Sequence, residues 1–311
     1  MNCSGKILQK KFSVGLTLQT TEEEFSKLLD KYCPYIKEVY FSLPLGDRFH
    51  TRKNINNLFL KEENISKFWV LLNIVKKYSI NLELALNTYK LDNDDIIEAA
   101  TQLHKHNIKI DSVVTLEKYV ENIKKHFPNI PLISSYNNEI RTIEDIKNLQ
   151  YKYDSIVIGG AGIRNENIWK EIKVNRGEKV KLLLNNGCSF NCGWCSHSCE
   201  CEKCFNSNIQ QNSPMYLYAL QSIMPYEIHN SLLDVEQIDL LKISNRSDSI
   251  EYLDKCLHSY IHNENKYWIE KSYTNYLLWC RLSWFYKYYK YFEYEKVVEY
   301  KKIIYENNIN M

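Results

Sequence analysis

Two hydrophobic patterns alternate along the chain. Short β-branched and apolar runs recur at Phe12–Leu18, Glu38–Leu43, Leu82–Leu86, Ile110–Thr115, Leu132–Ser135, Ser155–Ile158, Val180–Leu184 and Ile238–Ile243. Several are apolar throughout, as strands covered on both faces are. Stretches of helical character separate them: Phe25–Tyr32, Asn64–Lys77, Asp94–His106, Leu116–His126, Thr142–Leu149 and Glu166–Ile172. Thr21 reads as an N-cap ahead of Glu22–Glu24, and Thr142 with Asp145 as a capping box.

Strand alternating with helix means βαβ units and a parallel sheet. Eight strands predict closure into a (β/α)8 TIM-type barrel, with an open doubly wound sheet as the alternative. The barrel is expected over residues 1–250. Residues 251–311 are expected to form a helical extension packed on it, because Tyr267–Tyr305 is dense in Tyr, Trp and Phe. An aromatic platform for a base or a peptide is the other reading of that segment. No internal repeat or low-complexity linker is apparent.

Charge changes this picture little. The 311 residues carry 40 basic and 38 acidic side chains, a formal charge of +2, so no global field points to nucleic acid or to a membrane surface. No segment has the apolar length of a membrane helix, and Met1–Lys11 has no apolar core of a secretory signal. A cytoplasmic protein without membrane contact is expected.

Cysteine usage does change it. Six of the ten cysteines fall within Cys188–Cys204, directly after the seventh predicted strand, while Cys3, Cys33, Cys256 and Cys280 are scattered. Reducing compartments disfavour disulfides, so a cluster there reads as a metal site. Cys188, Cys192 and Cys195 are spaced x3 and x2, and Cys199, Cys201 and Cys204 follow. Soft thiolates suit iron and sulfide, and Gly187 and Gly193 allow close backbone approach. A [4Fe-4S] cluster held by Cys188, Cys192, Cys195 and one of the later three is expected, with Cys204 as one candidate for the fourth ligand. A structural zinc site on Cys192, Cys195, Cys201 and Cys204 is the alternative, although five residues between those pairs are few. Loops following strands build the active face of a barrel.

The chain resembles the collagenase-like peptidase U family, which includes prephenate-dependent RNA hydroxylation and oxygen-independent ubiquinone hydroxylation proteins. The resemblance rests on Val39–Pro44, Leu84–Asn87, Ile156–Asn165, Leu182–Cys188, Ser222–Glu227 and Leu241–Arg246, which occur in the family's order. The Asn-x-Gly-Cys-x3-Cys element and the Pro225…Lys242-x3-Arg246 element are its most specific parts. It implies a barrel, a cysteine-held [4Fe-4S] cluster, oxygen-independent hydroxylation and a protein partner subunit such as quinone-modifying members use. The chain departs from the family at Cys192-Gly193, where many members have Cys-Pro, and in packing its cysteines into one loop. Cys188, Cys192 and Cys195, with Trp194, also resemble the radical S-adenosylmethionine signature. That motif follows the first barrel strand in its superfamily and here follows the seventh.

Polar residues at strand ends complete the expected site. Arg48 and Arg52 follow the second strand, Asn87 ends the third, and Ser134, Ser135 and Asn137 follow the fifth. Arg164 and Asn165 follow the sixth, Asn185 and Asn186 the seventh, and Arg246 the eighth. Convergent arginines would suit a carboxylate or phosphate. Lys242 lies within the eighth strand, where an inward side chain needs an acid partner or a shifted pKa. His258 and His262 read as surface. The expected function is a modifying enzyme acting on a small molecule, an RNA base or a peptide; a zinc-stabilised binding module is the non-enzymatic alternative.

Overall fold

The computed structural model describes residues 8, 10–50, 57–138, 140, 142–159, 166–174, 179–185, 223, 225–229, 238–244 and 249–264. Eight parallel strands close into a barrel in sequence order. They are β1 (Lys11–Gly15), β2 (Ile36–Phe41), β3 (Asn81–Leu86), β4 (Ser112–Thr115), β5 (Leu132–Ser134), β6 (Ser155–Ile158), β7 (Lys179–Leu183) and β8 (Leu240–Ile243). Pairing of Lys11 with Leu240 and of Phe12 with Leu241 joins the last strand to the first. That pairing decides between the closed barrel and the open sheet.

The described helices are α1 (Glu22–Tyr32), α2 (Glu62–Lys77), α3 (Asn93–Lys105), α4 (Val120–His126), α5 (Ile143–Gln150), α6 (Glu166–Val174), α7 (Pro225–His229) and α8 (Ile250–His262). The stretch read as one helix from Leu116 is a short 3-10 turn over Glu117–Tyr119 leading into α4. α1 buries Phe25, Leu28, Leu29 and Tyr32, the i, i+3, i+4, i+7 stripe of a helix lying on a sheet. α8 covers the β8–β1 seam: its Lys31–Asp254 ion pair to α1 is 2.8 Å long, and the Tyr260 ring meets Phe12 of β1 in a tilted contact at 6.4 Å.

Two devices recur around the ring. Capping boxes start the helices after β1, β3 and β5, pairing Thr21 with Glu24, Asp92 with Asp95, and Thr142 with Asp145. At the opposite end, an aspartate preceding an even strand accepts an amide from the first or second residue of the strand before it. Asp111 accepts from Leu82 at 2.8 Å, Asp154 from Leu132 at 2.8 Å, and Asp239 from Val180 at 2.7 Å. The linear sequence displays no repeat, yet the same bridge closes strand pairs β3–β4, β5–β6 and β7–β8.

Most of the core lies between strands and helices, where Leu29, Leu71, Leu72, Leu82, Leu253 and Leu257 are buried. A smaller apolar cluster fills one half of the barrel itself: Val114, Ile133, Val157 and Leu183, with Tyr136 against it. Among the described residues, no helix is long and apolar enough to cross a membrane.

Candidate active site at the barrel mouth

Strand alternation and register decide what enters the barrel. Side chains two apart share a face, and neighbours in register lie side by side. Ser13 is in register with Glu38 on β2 and with Lys242 on β8, and Tyr40 with Glu83 on β3. Lys181 on β7 faces the same interior. Strand tilt lifts these positions into successive layers, as in other eight-stranded parallel barrels.

Glu38 lies nearest the N-terminal end. Its carboxylate is 2.5 Å from the Lys181 ammonium, which also reaches Glu83. Glu83 in turn accepts from Lys242 at 2.5 Å. The four charges therefore form a ladder, Glu38–Lys181–Glu83–Lys242, that climbs toward the C-terminal mouth and sums to zero. At its top the Lys242 ammonium sits 4.0 Å above the ring of Tyr40, whose hydroxyl donates to the Ile243 carbonyl at 2.8 Å.

Burial and mutual charge set the protonation of the ladder. For Glu83, burial favours the neutral acid, but the two ammoniums overcome it and hold the group down at about 2. Burial opposes the Lys181 charge, and the Glu83 and Glu38 carboxylates outweigh it, so its pKa rises. The ends shift toward neutrality. Burial and the Glu83 charge raise Glu38 above the ordinary carboxylate range. Burial, with Lys181 nearby, lowers Lys242 despite its contact with Glu83. Ser13 Oγ, fully buried in register beside Lys242, has no hydrogen-bond partner among the described residues.

The rim above is braced by amides. Asn87 donates to Ser135 Oγ at 3.1 Å, and Asn137 donates to the Asn87 carbonyl at 3.1 Å, tying the ends of β3 and β5. Ser134 Oγ accepts from Asn138 at 2.8 Å. Asn185, just past β7, donates to the Ser244 carbonyl at 2.9 Å and to the Tyr252 hydroxyl at 2.8 Å. The Ser244 amide returns a bond to Asn185 Oδ1 at 2.6 Å.

The expected site residues are thus distributed. Lys242 points inward and has the acid partner and the altered pKa that its position demands. Asn87 and Asn185 stand at the rim. Arg48 lies on the β2–α2 connection, bound to Asp92 and, at 3.0 Å, to Asp95 of the α3 capping box. It braces two loops, with both acids already on its guanidinium. Arg52, Arg164, Asn165, Asn186, Arg246 and all six cysteines from Cys188 to Cys204 lie outside the described residues. Among the described residues no cluster of His, Cys, Asp and Glu could hold a metal ion. His258 has an acid partner that spacing did not reveal, Glu264 at 3.2 Å.

Sequence reasoning missed Glu38, Glu83 and Lys181. The signal was present: each is a charged residue inside an apolar strand run, at the inward phase of its alternation. His50 was also unassigned; it is buried and stacked on Phe59 at 5.0 Å.

No family model matches the sequence, and no curated protein matches it. Solved structures of similar fold include the U32 peptidase Mk0906, at 11% identity over 78% of this chain and 96% of that one, with a TM-score of 0.44. A protein from Aquifex aeolicus VF5 matches at 11% identity over 83% of this chain and 92% of that one, with a TM-score of 0.45. The tryptophan synthase A-subunit from Pyrococcus furiosus matches at 12% identity over 84% and 96%, with a TM-score of 0.44. The chain is a (β/α)8 barrel; that statement rests on its own strand pairing.

Proposed function

We propose that this chain is a barrel enzyme of the peptidase-U-like kind, with a [4Fe-4S] cluster in the cysteine run after β7 and a substrate entering at the C-terminal mouth. The observation that supports it best is where β7 ends. Asn185 is held at the rim by Ser244 and Tyr252, and Cys188 follows three residues later in the chain. Three residues of chain reach at most roughly 11 Å, which supports a thiol run starting near the end of the barrel where such folds carry their chemistry.

The donor set fits the group, since iron–sulfur clusters take thiolate ligands and this run offers six. Cys188, Cys192 and Cys195, with one of Cys199, Cys201 and Cys204, would hold it. A cluster there supplies electron transfer or, with an open iron, Lewis acidity. In the sequence Arg164 and Asn165 follow β6 and Arg246 follows β8, and they would orient an anionic small molecule. An RNA base or a peptide is the broader substrate class, and oxygen-independent hydroxylation is the reaction that the family resemblance suggests. A partner subunit belongs to the same reading.

Anaerobic purification with iron, sulfide and zinc analysis, a visible spectrum and electron paramagnetic resonance after reduction tests it. About four irons and four sulfides per chain, lost in Cys188→Ala, are expected for such a cluster. Zinc without iron would overturn the reading in favour of a zinc-stabilised binding module. Cleavage of S-adenosylmethionine to 5′-deoxyadenosine by the reduced protein would move it to radical chemistry.

A further inference from the structure

Lys242 differs from the other three members of the ladder. Its side chain keeps 10% of its surface accessible, against 6% for Glu38, 5% for Lys181 and none for Glu83. The inward positions one step nearer the mouth on β1 and β3 carry almost no side chain, while the Tyr40 ring on β2 lies against the amine and Leu183 on β7 is in register with Lys242. Gly15 follows Ser13 on β1, and Ala85 follows Glu83 on β3. The bulky interior residues, Val114, Ile133, Val157 and Leu183, come from β4 to β7, the other half of the barrel. The amine therefore forms the floor of the mouth on the side where β8, β1, β2 and β3 meet. Ser13 adds a buried hydroxyl without a partner among the described residues, in register with Lys242 and facing the same interior.

We infer that Lys242 is a nucleophilic amine that condenses with the carbonyl group of a small substrate at the floor of the barrel mouth. An amine is activated this way when it is desolvated beside a second cation. Every charged or titratable group facing it from the packed strands belongs to one set: Glu83 on β3, Lys181 on β7, and Glu38 and Tyr40 on β2. Burial and Lys181 favour the neutral amine, and Glu83 and Glu38 oppose them.

The step balances within this set. The Lys242 ammonium first passes a proton to Glu83; the Nζ lone pair then attacks the carbonyl carbon, and the C=O π electrons move to oxygen, which takes that proton from Glu83. The nitrogen loses its proton to the Glu83 carboxylate, 2.5 Å away. Protonation of the carbinolamine hydroxyl by that acid then expels water as C=N forms. The Ser13 hydroxyl is placed to bind the oxygen during these transfers. Lys242 would react whether or not the cysteine run holds iron, so this assignment and the cluster fail separately.

The experiment uses the full chain near neutral pH with glyoxylate or with propanal, followed by borohydride reduction of any imine to a stable secondary amine and peptide mapping by mass spectrometry. An adduct at Lys242 is expected, at roughly tenfold or more above any other lysine. Lys242→Arg should lose it while leaving the unfolding transition in place. Glyoxylate alone would identify a 2-oxo acid, and propanal alone an uncharged carbonyl; either supports the assignment. Adducts on surface lysines with none at Lys242 would overturn it, as would equal labelling of Lys242→Arg. If that variant does not fold, the map of the unmodified sequence decides alone.

Discussion

Lys242 of β8 and Glu83 of β3 meet across the barrel interior, with 2.5 Å between Nζ and Oε1. The contact joins strands that are not neighbours in the sheet. Lys181 does the same between β7 and both Glu83 and Glu38. Two acids on one wall and two bases on the other therefore fix how the barrel is filled, in a volume that most barrels give to branched aliphatic side chains.

A balanced buried cluster is costly to unbalance. Glu83→Gln leaves Lys181 and Lys242 sharing Glu38, and is expected to cost about 3–5 kcal/mol, the usual loss on breaking a buried ion pair. Replacing Glu83 and Lys242 together by Met leaves Glu38 paired with Lys181, and should recover most of that loss. Urea unfolding of the three proteins checks it; a double variant less stable than Glu83→Gln would refute the charge argument.

The same cluster predicts two opposite limbs in the pH dependence of stability. Glu83 is held at about 2, against 4.5 for an ordinary glutamate, so its contribution is present above pH 4.5 and is lost as pH falls through 2. The stability difference between the parent and Glu83→Gln should shrink over that interval and vanish at its lower end. Glu38 is raised, so its contribution is complete below 4.5 and is lost as pH rises through its folded value. Glu38→Gln should therefore gain on the parent as pH rises above 4.5. Unfolding midpoints measured along a pH series read both limbs.

Much of this architecture was legible in the residues. The run Ser155–Ile158 is the strand as observed, and Thr142 with Asp145 forms the capping box that its spacing indicated. Strand ends were less legible: the run Phe12–Leu18 continues past β1, which stops at Gly15, because apolar rim residues resemble strand residues. Lys242 was visible as a charged residue in a strand. Its partner was not, because Glu83 meets Lys242 only when the sheet closes, 159 positions away in the chain. Arg48 shows the converse. A loop arginine looks free in sequence, and here the α3 capping box occupies it.

Asn185 should be among the least replaceable rim residues. It satisfies the carbonyl and the amide of Ser244 and meets the buried Tyr252 hydroxyl. Asn185→Leu removes those bonds, at an expected cost of about 1–3 kcal/mol. The loss should appear in chemical unfolding, together with faster hydrogen exchange of the Ser244 amide. Unchanged exchange at Ser244 would count against the bracing role.

Gly159 closes β6 under the ring of Tyr136. A Cβ there would lie 1.9 Å from Tyr136 Cε2, inside any tolerated contact. Tyr136 packs on Val114, Ile133, Val157 and Leu183, so the ring cannot yield without disturbing the apolar half of the barrel. Gly159→Ala is expected to cost about 1–3 kcal/mol by overpacking. Tyr136→Ala removes the obstacle, so the same substitution in that background should be nearly neutral. The double-mutant cycle separates this clash from a general dislike of a side chain at the strand end, because only the clash predicts coupling between the two sites. Equal costs in the two backgrounds, measured by urea unfolding, would show that the ring is not what keeps this position a glycine.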